Sequence, residues 1–229
     1  MADKQLISIA VDGPVSAGKS SLCDALSQKL GILHLDTGAM YRAVGLFAIK
    51  NNISPDDEEA LEAVVKNKLA DISVDYQDGR QITKLNGEDV SALLRSEKVG
   101  AYASAVSRFP VVRRYLVSLQ QQLARERSLL IDGRDIGTVV LPDAKVKIFL
   151  TASPEERALR RYKQLINAGS KADYNMVLSD LLARDEQDKN RKADPLRAAP
   201  DAVILDTSKL NFEESLQEMI NIVKAVYDN

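Results

Sequence analysis

Residues 13–20 read G-P-V-S-A-G-K-S, with two glycines, a lysine and a serine at a spacing suited to polyphosphate. The glycines let the backbone curl, so that several N–H groups converge on phosphate oxygens. Lys19 stands where it can reach the β- and γ-phosphates, and a hydroxyl from Ser20 or Ser21 can hold Mg²⁺ beside them. The candidate nucleotide cradle is therefore Gly13, Pro14, Val15, Ser16, Ala17, Gly18, Lys19, Ser20 and Ser21. Its flanks fit. A short apolar run over 6–11 reads as a buried strand, and Leu22, Ala25, Leu26 and Leu30 recur at helical spacing just after it. Strand, glycine-rich turn and helix are the context a P-loop requires, so the chain is expected to bind a nucleoside triphosphate with Mg²⁺.

Other charged residues fall where they could act on that nucleotide. Asp132 ends the apolar run 128–131, the position of a carboxylate acting on the Mg²⁺ shell, and Arg134 and Asp135 follow in a glycine-containing turn. Arg157, Arg160 and Arg161 share one face of a helix. A later helix, about 174–189, carries Arg184, Asp188 and Arg191 at i, i+4 and i+7. Such faces are usually just solvated, but phosphoryl transfer needs cations around the moving group, and mobile lids often supply them. Thr37 and Arg42 lie at a strand-to-helix junction of the kind that lines the crevice of an open α/β sheet. Arg113 and Arg114 sit near the start of a helix, where cations oppose the dipole, which points to an anionic or polar ligand.

The elements that must position these groups alternate strand and helix. Short strands are expected at 6–11, 31–35, 128–131, 146–150 and 203–205, giving a five-stranded parallel sheet flanked by helices, an α/β fold. Asp36 or Thr37 caps a helix reaching about residue 52, and Ser153 with Pro154 opens another. An acidic-started helix fits 55–69, and two helices fit 91–108 and 110–127 with Leu116, Leu119 and Leu123 as the core stripe of the second. The last helix, 211–227, turns Leu216, Ile220, Val223 and Tyr227 inward. The stretch 71–92 breaks the pattern. Alternating residues around Asp78-Gly79 and Asn86-Gly87 read as a small antiparallel β insert. Residues 1–229 are read as a single domain, with the insert at 71–92 and an arginine-rich helical lid at 154–192.

Bulk composition narrows the classes. The 229 residues hold 45% apolar and 28% charged side chains, with a net charge of −2, so no basic field favours nucleic acid. The single cysteine, Cys23, forms no internal disulfide and reads as packing, and the lone His34 cannot build a metal site by itself. No apolar segment approaches the ~20 residues of a membrane span, and the N-terminus, with acidic Asp3, is not expected to act as a leader peptide. A cytoplasmic monomer is the expectation. Other P-loop classes leave marks this chain lacks: Asn67-Lys68 is followed by Leu69-Ala70 rather than a guanine reader, and the strand at Asp132 ends Asp-Gly rather than Asp-Glu. A compact P-loop kinase acting on a small acceptor remains.

Four segments carry a closer resemblance: D-G-P-V-S-A-G-K-S-S (12–21), D-T-G-A-M-Y-R (36–42), D-G-R-D-I-G-T-V-V (132–140) and R-D-E-Q-D-K-N-R (184–191). In this order they resemble the bacterial cytidylate kinases over nearly the whole length, and the 72–90 meander matches that family's enlarged monophosphate-binding insert. The resemblance implies transfer from ATP to CMP, with dCMP as a second acceptor. It implies that Thr37, Ser104, Arg113 and Asp135 line the nucleoside pocket, that Arg42, Arg134 and Arg191 lie near the acceptor phosphate, and that Asp188 contacts the ribose. Arg157, Arg161 and Arg184 would be lid cations, acting with Lys19 and Arg134 in catalysis. Ser20, Ser21 and Asp132 are the candidates for the metal. Cytosine offers a 4-amino donor that Asp135 would accept, where uracil offers an oxygen. The competing readings are a different nucleoside-monophosphate or small-metabolite kinase on the same fold, and a nucleotide-dependent switch with little turnover.

Overall fold

The computed structural model describes residues 6–227, so Asp3 lies outside them. The elements run β1 (Ser8–Asp12), α1 (Lys19–Leu30), β2 (Leu33–Asp36), α2 (Thr37–Lys50), α3 (Glu58–Lys66), β3 (Ile72–Gln77), β4 (Arg80–Leu85) and β5 (Glu88–Asp89). There follow α4 (Glu97–Val106), α5 (Pro110–Glu126), β6 (Leu129–Gly133), β7 (Val146–Thr151), α6 (Pro154–Asn167), α7 (Tyr174–Asn190), β8 (Val203–Asp206) and α8 (Phe212–Tyr227). Among the described residues the chain clusters into two compact units, residues 7–32 with 130–227, and residue 6 with 33–129.

The first of these is the P-loop unit. Its strands are consecutive in the five-stranded parallel sheet, whose order is β2-β6-β1-β7-β8. Ile9 to Asp12 pair with Val146 to Phe149, and Ile148 to Thr151 with Val203 to Asp206. Parallel pairing brings the carboxyl ends of β1, β7 and β8 to one edge, where ligands of open α/β sheets bind. Ile9, Val11, Ile148 and Leu150 pack with Leu22, Cys23 and Leu26 of α1 and Leu216, Met219 and Val223 of α8. Each such side chain stabilises the unit by about 1.5–3 kcal/mol, which makes α1 a rigid mount for the loop before it. Cys23 is a packing residue, as expected.

The unit of residues 33–129 is built on α2, which packs on α4 and α5. Asp36 caps α2 by accepting from the Ala39 N–H at 3.2 Å. The acidic-started helix is shorter than expected, because the Asp57 side chain caps it at Glu58. A 3₁₀ turn, Leu93–Arg95, precedes α4, whose cap is Ser96. Pro110 occupies the first turn of α5 as expected, but the buried stripe of that helix is Val112, Leu116, Gln120 and Ala124, with Arg113 beside it. Leu119 and Leu123 are only half-buried. The antiparallel insert is β3-β4-β5, with Gln77 opposite Arg80 and Leu85 opposite Glu88 across the two expected turns.

Candidate functional site: a phosphate cradle under arginine-bearing helices

The cradle begins at Gly13. A Cβ there would lie 2.0 Å from the Leu150 carbonyl oxygen, so only glycine lets the chain leave β1 this close to β7. Ser16 adopts φ 60° and Gly18 φ 91°, the left-handed turns that aim successive N–H groups into one concavity. α1 then starts at Lys19 and adds its own unpaired N–H groups.

Lys19 is buried, and its Nζ donates to the carbonyls of Gly13 at 2.7 Å and Pro14 at 2.8 Å. Burial, reinforced by Arg134, pulls its pKa from an ordinary 10.5 down to about 7, against the pull of Asp132 and Asp12. Ser20 Oγ donates to Asp132 Oδ2 at 3.3 Å, which ties the loop to the tip of β6. This contact separates the two serines: Ser20 is the one that shares a site with Asp132. Two hard oxygen donors suit Mg²⁺, which usually keeps several waters and binds through few protein groups plus phosphates.

Asp12, at the end of β1, accepts from the N–H groups of Ile136 at 2.7 Å and Gly137 at 2.8 Å. Burial raises its pKa to about 6 in spite of those two bonds. Its partners open a single π-helical turn, Ile136–Val140, in which the Leu141 N–H reaches the Ile136 carbonyl. Such turns are frequent at functional sites. Asp12 thus anchors the turn that follows Arg134 and Asp135, a role its place in the motif did not disclose.

Arg134 donates to Asp188 Oδ2 at 2.8 Å, and Arg191 Nη2 to Asp135 Oδ1 at 3.3 Å. The strand-end turn and the end of α7 are therefore joined by two ion pairs made of four predicted site residues. Burial works against the charge of Asp188, but Arg134, Arg184 and Arg191 outweigh it and hold the carboxyl below its usual range. Arg191 lies just past α7, in extended backbone, rather than on the helical face.

Arg157 is buried, and each of its three guanidinium nitrogens donates. Its Nε donates to Ala152 O at 2.9 Å, Nη1 to Val15 O at 3.1 Å, and Nη2 to Asp185 Oδ2 at 2.7 Å. One side chain thus joins α6, the P-loop and α7. Arg160 also touches the cradle, at Ala17 O (3.4 Å), and reaches Thr207 O at 2.8 Å. Arg161 and Arg184 are half-buried on α6 and α7. Asp185 and Arg160 were not singled out as site residues. The signal for Asp185 was its place beside Arg184 in the charged segment, and that for Arg160 its shared face with Arg157.

The remaining candidates belong to the unit of residues 33–129. Thr37 is buried at the start of α2, with Arg42 half-buried further along it. Ser104 is half-buried on α4. Arg113, only 2% exposed on α5, sets its guanidinium carbon 5.7 Å from the centroid of the Tyr41 ring, a cation–π contact.

A parallel sheet with a P-loop, a strand-tip carboxylate beside its serine and arginine-bearing helices above places this protein among the P-loop kinases. The Cytidylate kinase family model matches residues 9–225, and the chain belongs to that family. The Cytidylate kinase of Caldicellulosiruptor bescii is 47% identical over 223 residues, 97% of this chain and 98% of that one. The Cytidylate kinase of Pasteurella multocida is 46% identical over 222 residues, 97% of both. Among solved structures, an uncharacterized protein from Eubacterium ventriosum shares the fold, with a TM-score of 0.53 at 11% identity over 96% of this chain and 99% of that one. Among the described residues, no helix is long and apolar enough to cross a membrane.

Proposed function

We propose that the protein transfers the γ-phosphoryl group of ATP to CMP, and to dCMP, giving ADP and CDP or dCDP. The bond from the γ-phosphorus to the β–γ bridging oxygen breaks, and one forms to an oxygen of the acceptor phosphate. That oxygen is already nucleophilic, so the chain's task is alignment and charge neutralisation. The observation that carries the reading is the turn 132–135. Within four residues it presents the carboxylate bonded to Ser20, the guanidinium of Arg134 and the buried carboxylate of Asp135.

In this reading the backbone of Gly13 to Ser21 cradles the triphosphate, and Lys19 becomes a full cation against it. Ser20 and Asp132 would hold Mg²⁺, which when bound neutralises charge on the β- and γ-phosphates. Arg157, Arg161 and Arg184 act as lid cations, with Arg134 on the transferring group. Arg42 and Arg191 take the acceptor phosphate and Asp188 the ribose. Thr37, Ser104, Arg113 and Asp135 take the nucleoside, and Asp135 accepts from the cytosine 4-amino group. The enzyme is read as a cytoplasmic monomer.

The test is ADP formation from Mg-ATP with CMP, dCMP, UMP, AMP or GMP, and with no acceptor. Strong turnover with CMP and dCMP and weak turnover with UMP is expected, and it should vanish in Lys19→Ala. Turnover with no acceptor dependence would overturn the reading.

A further inference from the structure

The antiparallel insert has no part in the chemistry above, yet one of its side chains grips the start of the acceptor-side helix. Gln81 is the second residue of β4, two positions after the Asp78-Gly79 turn. Its Oε1 accepts from the Asp36 N–H at 2.7 Å, and its Nε2 donates back to the Asp36 carbonyl at 3.2 Å. These two bonds to one residue copy what a neighbouring strand would make in an antiparallel ladder. The second Nε2 proton goes to Thr83 Oγ1 at 3.0 Å, so both amide donors are used. A flipped amide would set its NH₂ against the Asp36 N–H, so this network admits one orientation.

The anchor is firm. Thr83 is buried, its N–H donates to Ser91 Oγ at 3.0 Å, and its carbonyl accepts from the Val90 N–H at 3.0 Å. Gln81 and Thr83 share one face of β4 by the two-residue period of a strand. The gripped residue is equally placed: Asp36 ends β2 and caps α2. Thr37 follows it directly, and Arg42 lies on the same helix.

We infer that Gln81 is a positioning residue for the acceptor nucleotide, holding the Asp36 backbone and hence the start of α2 from the insert. The inference rests on the proposed role of Thr37 and Arg42. It gives the insert a task that neither its hairpin turns nor its surface explains: fixing where α2 begins.

The experiment uses the full chain with Gln81→Leu and Gln81→Glu. Amide hydrogen exchange at Asp36 and Ala39 is measured together with KM and kcat for each substrate. In Gln81→Leu, exchange at Asp36 should rise at least about tenfold and KM for CMP about five- to tenfold, the scale of one or two lost hydrogen bonds. KM for ATP should stay within about twofold, since the triphosphate cradle belongs to other elements. Gln81→Glu keeps an acceptor for the Asp36 N–H but has no donor for its carbonyl, so its KM for CMP should fall between the two. Faster exchange with an unchanged KM for CMP would reduce Gln81 to a structural staple and overturn the inference. Unchanged exchange would show that the grip does not exist. If the wild type uses a different acceptor, the proposed activity fails while the same comparison, made on that acceptor, still decides the role of Gln81.

Discussion

Asp185→Ala should be among the more damaging single changes in the P-loop unit. Arg157 and Asp185 are 3% and 5% exposed, and their 2.7 Å bond links α6 to α7. Deleting the carboxylate leaves a buried guanidinium whose remaining partners among the described residues are the carbonyls of Ala152 and Val15. Breaking a buried pair from one side costs about 3–5 kcal/mol. In a chain of this size that is a fall in Tm of about 6–20 °C, at about 2–4 °C per kcal/mol. Asp185→Asn keeps a neutral acceptor, so its loss should be about 1.5–3 kcal/mol. The informative partner is the double variant Arg157→Met with Asp185→Leu, which removes both charges and should cost far less than the sum of the single changes. Urea unfolding followed by circular dichroism measures all of these. Because Arg157 also holds the Val15 carbonyl, KM for ATP should rise in Asp185→Ala. A loss below about 1 kcal/mol in Asp185→Ala, or additive single and double losses, would refute the reasoning.

Binding of Mg-ATP should take up close to one proton at pH 8 and almost none at pH 6. Lys19, with a pKa of about 7, is largely neutral at pH 8, and the triphosphate restores its charge. Calorimetry in two buffers of different ionisation enthalpy reads the uptake, and its absence at pH 8 would refute the assignment. The same depression means that the unfolded chain holds a proton the folded chain lacks between pH 7 and 10.5. The free protein should therefore gain stability relative to Lys19→Met as pH rises through that window, as paired melts would show. Gly13→Ala should cost about 3 kcal/mol or more and abolish ATP binding, since its Cβ meets the Leu150 backbone; a folded variant with normal ATP affinity would contradict this. Asp135→Ala should shift the CMP-to-UMP ratio of kcat/KM by about tenfold or more while leaving ATP affinity within about twofold; an unchanged ratio would count against its role at the base.

Features legible in the sequence share one physical property: they are decided by neighbours within a few residues. The glycines and lysine of the P-loop, the cap at Asp36 or Thr37 (the structure has Asp36), the cap Ser153, Pro154 in the first turn of α6, and the Asp-Gly and Asn-Gly turns of the insert all act through local backbone geometry. The β-strands and most of the helices could be placed for the same reason. Contacts between distant residues were not legible, because neither helical nor strand periodicity specifies them. Only the tertiary structure brings Ser20 rather than Ser21 to Asp132, across 112 positions, and Asp12 to the N–H groups of Ile136 and Gly137. It turns Arg113 from a cation at a helix start into a buried side chain over Tyr41, while Leu119 and Leu123 move partly to the surface. It also sets the charge on Lys19, since desolvation depends on what surrounds the ammonium group and not on its sequence neighbours. The residue types of the chain thus determined the class of chemistry, and long-range packing decided which of those residues meet and how strongly each is charged.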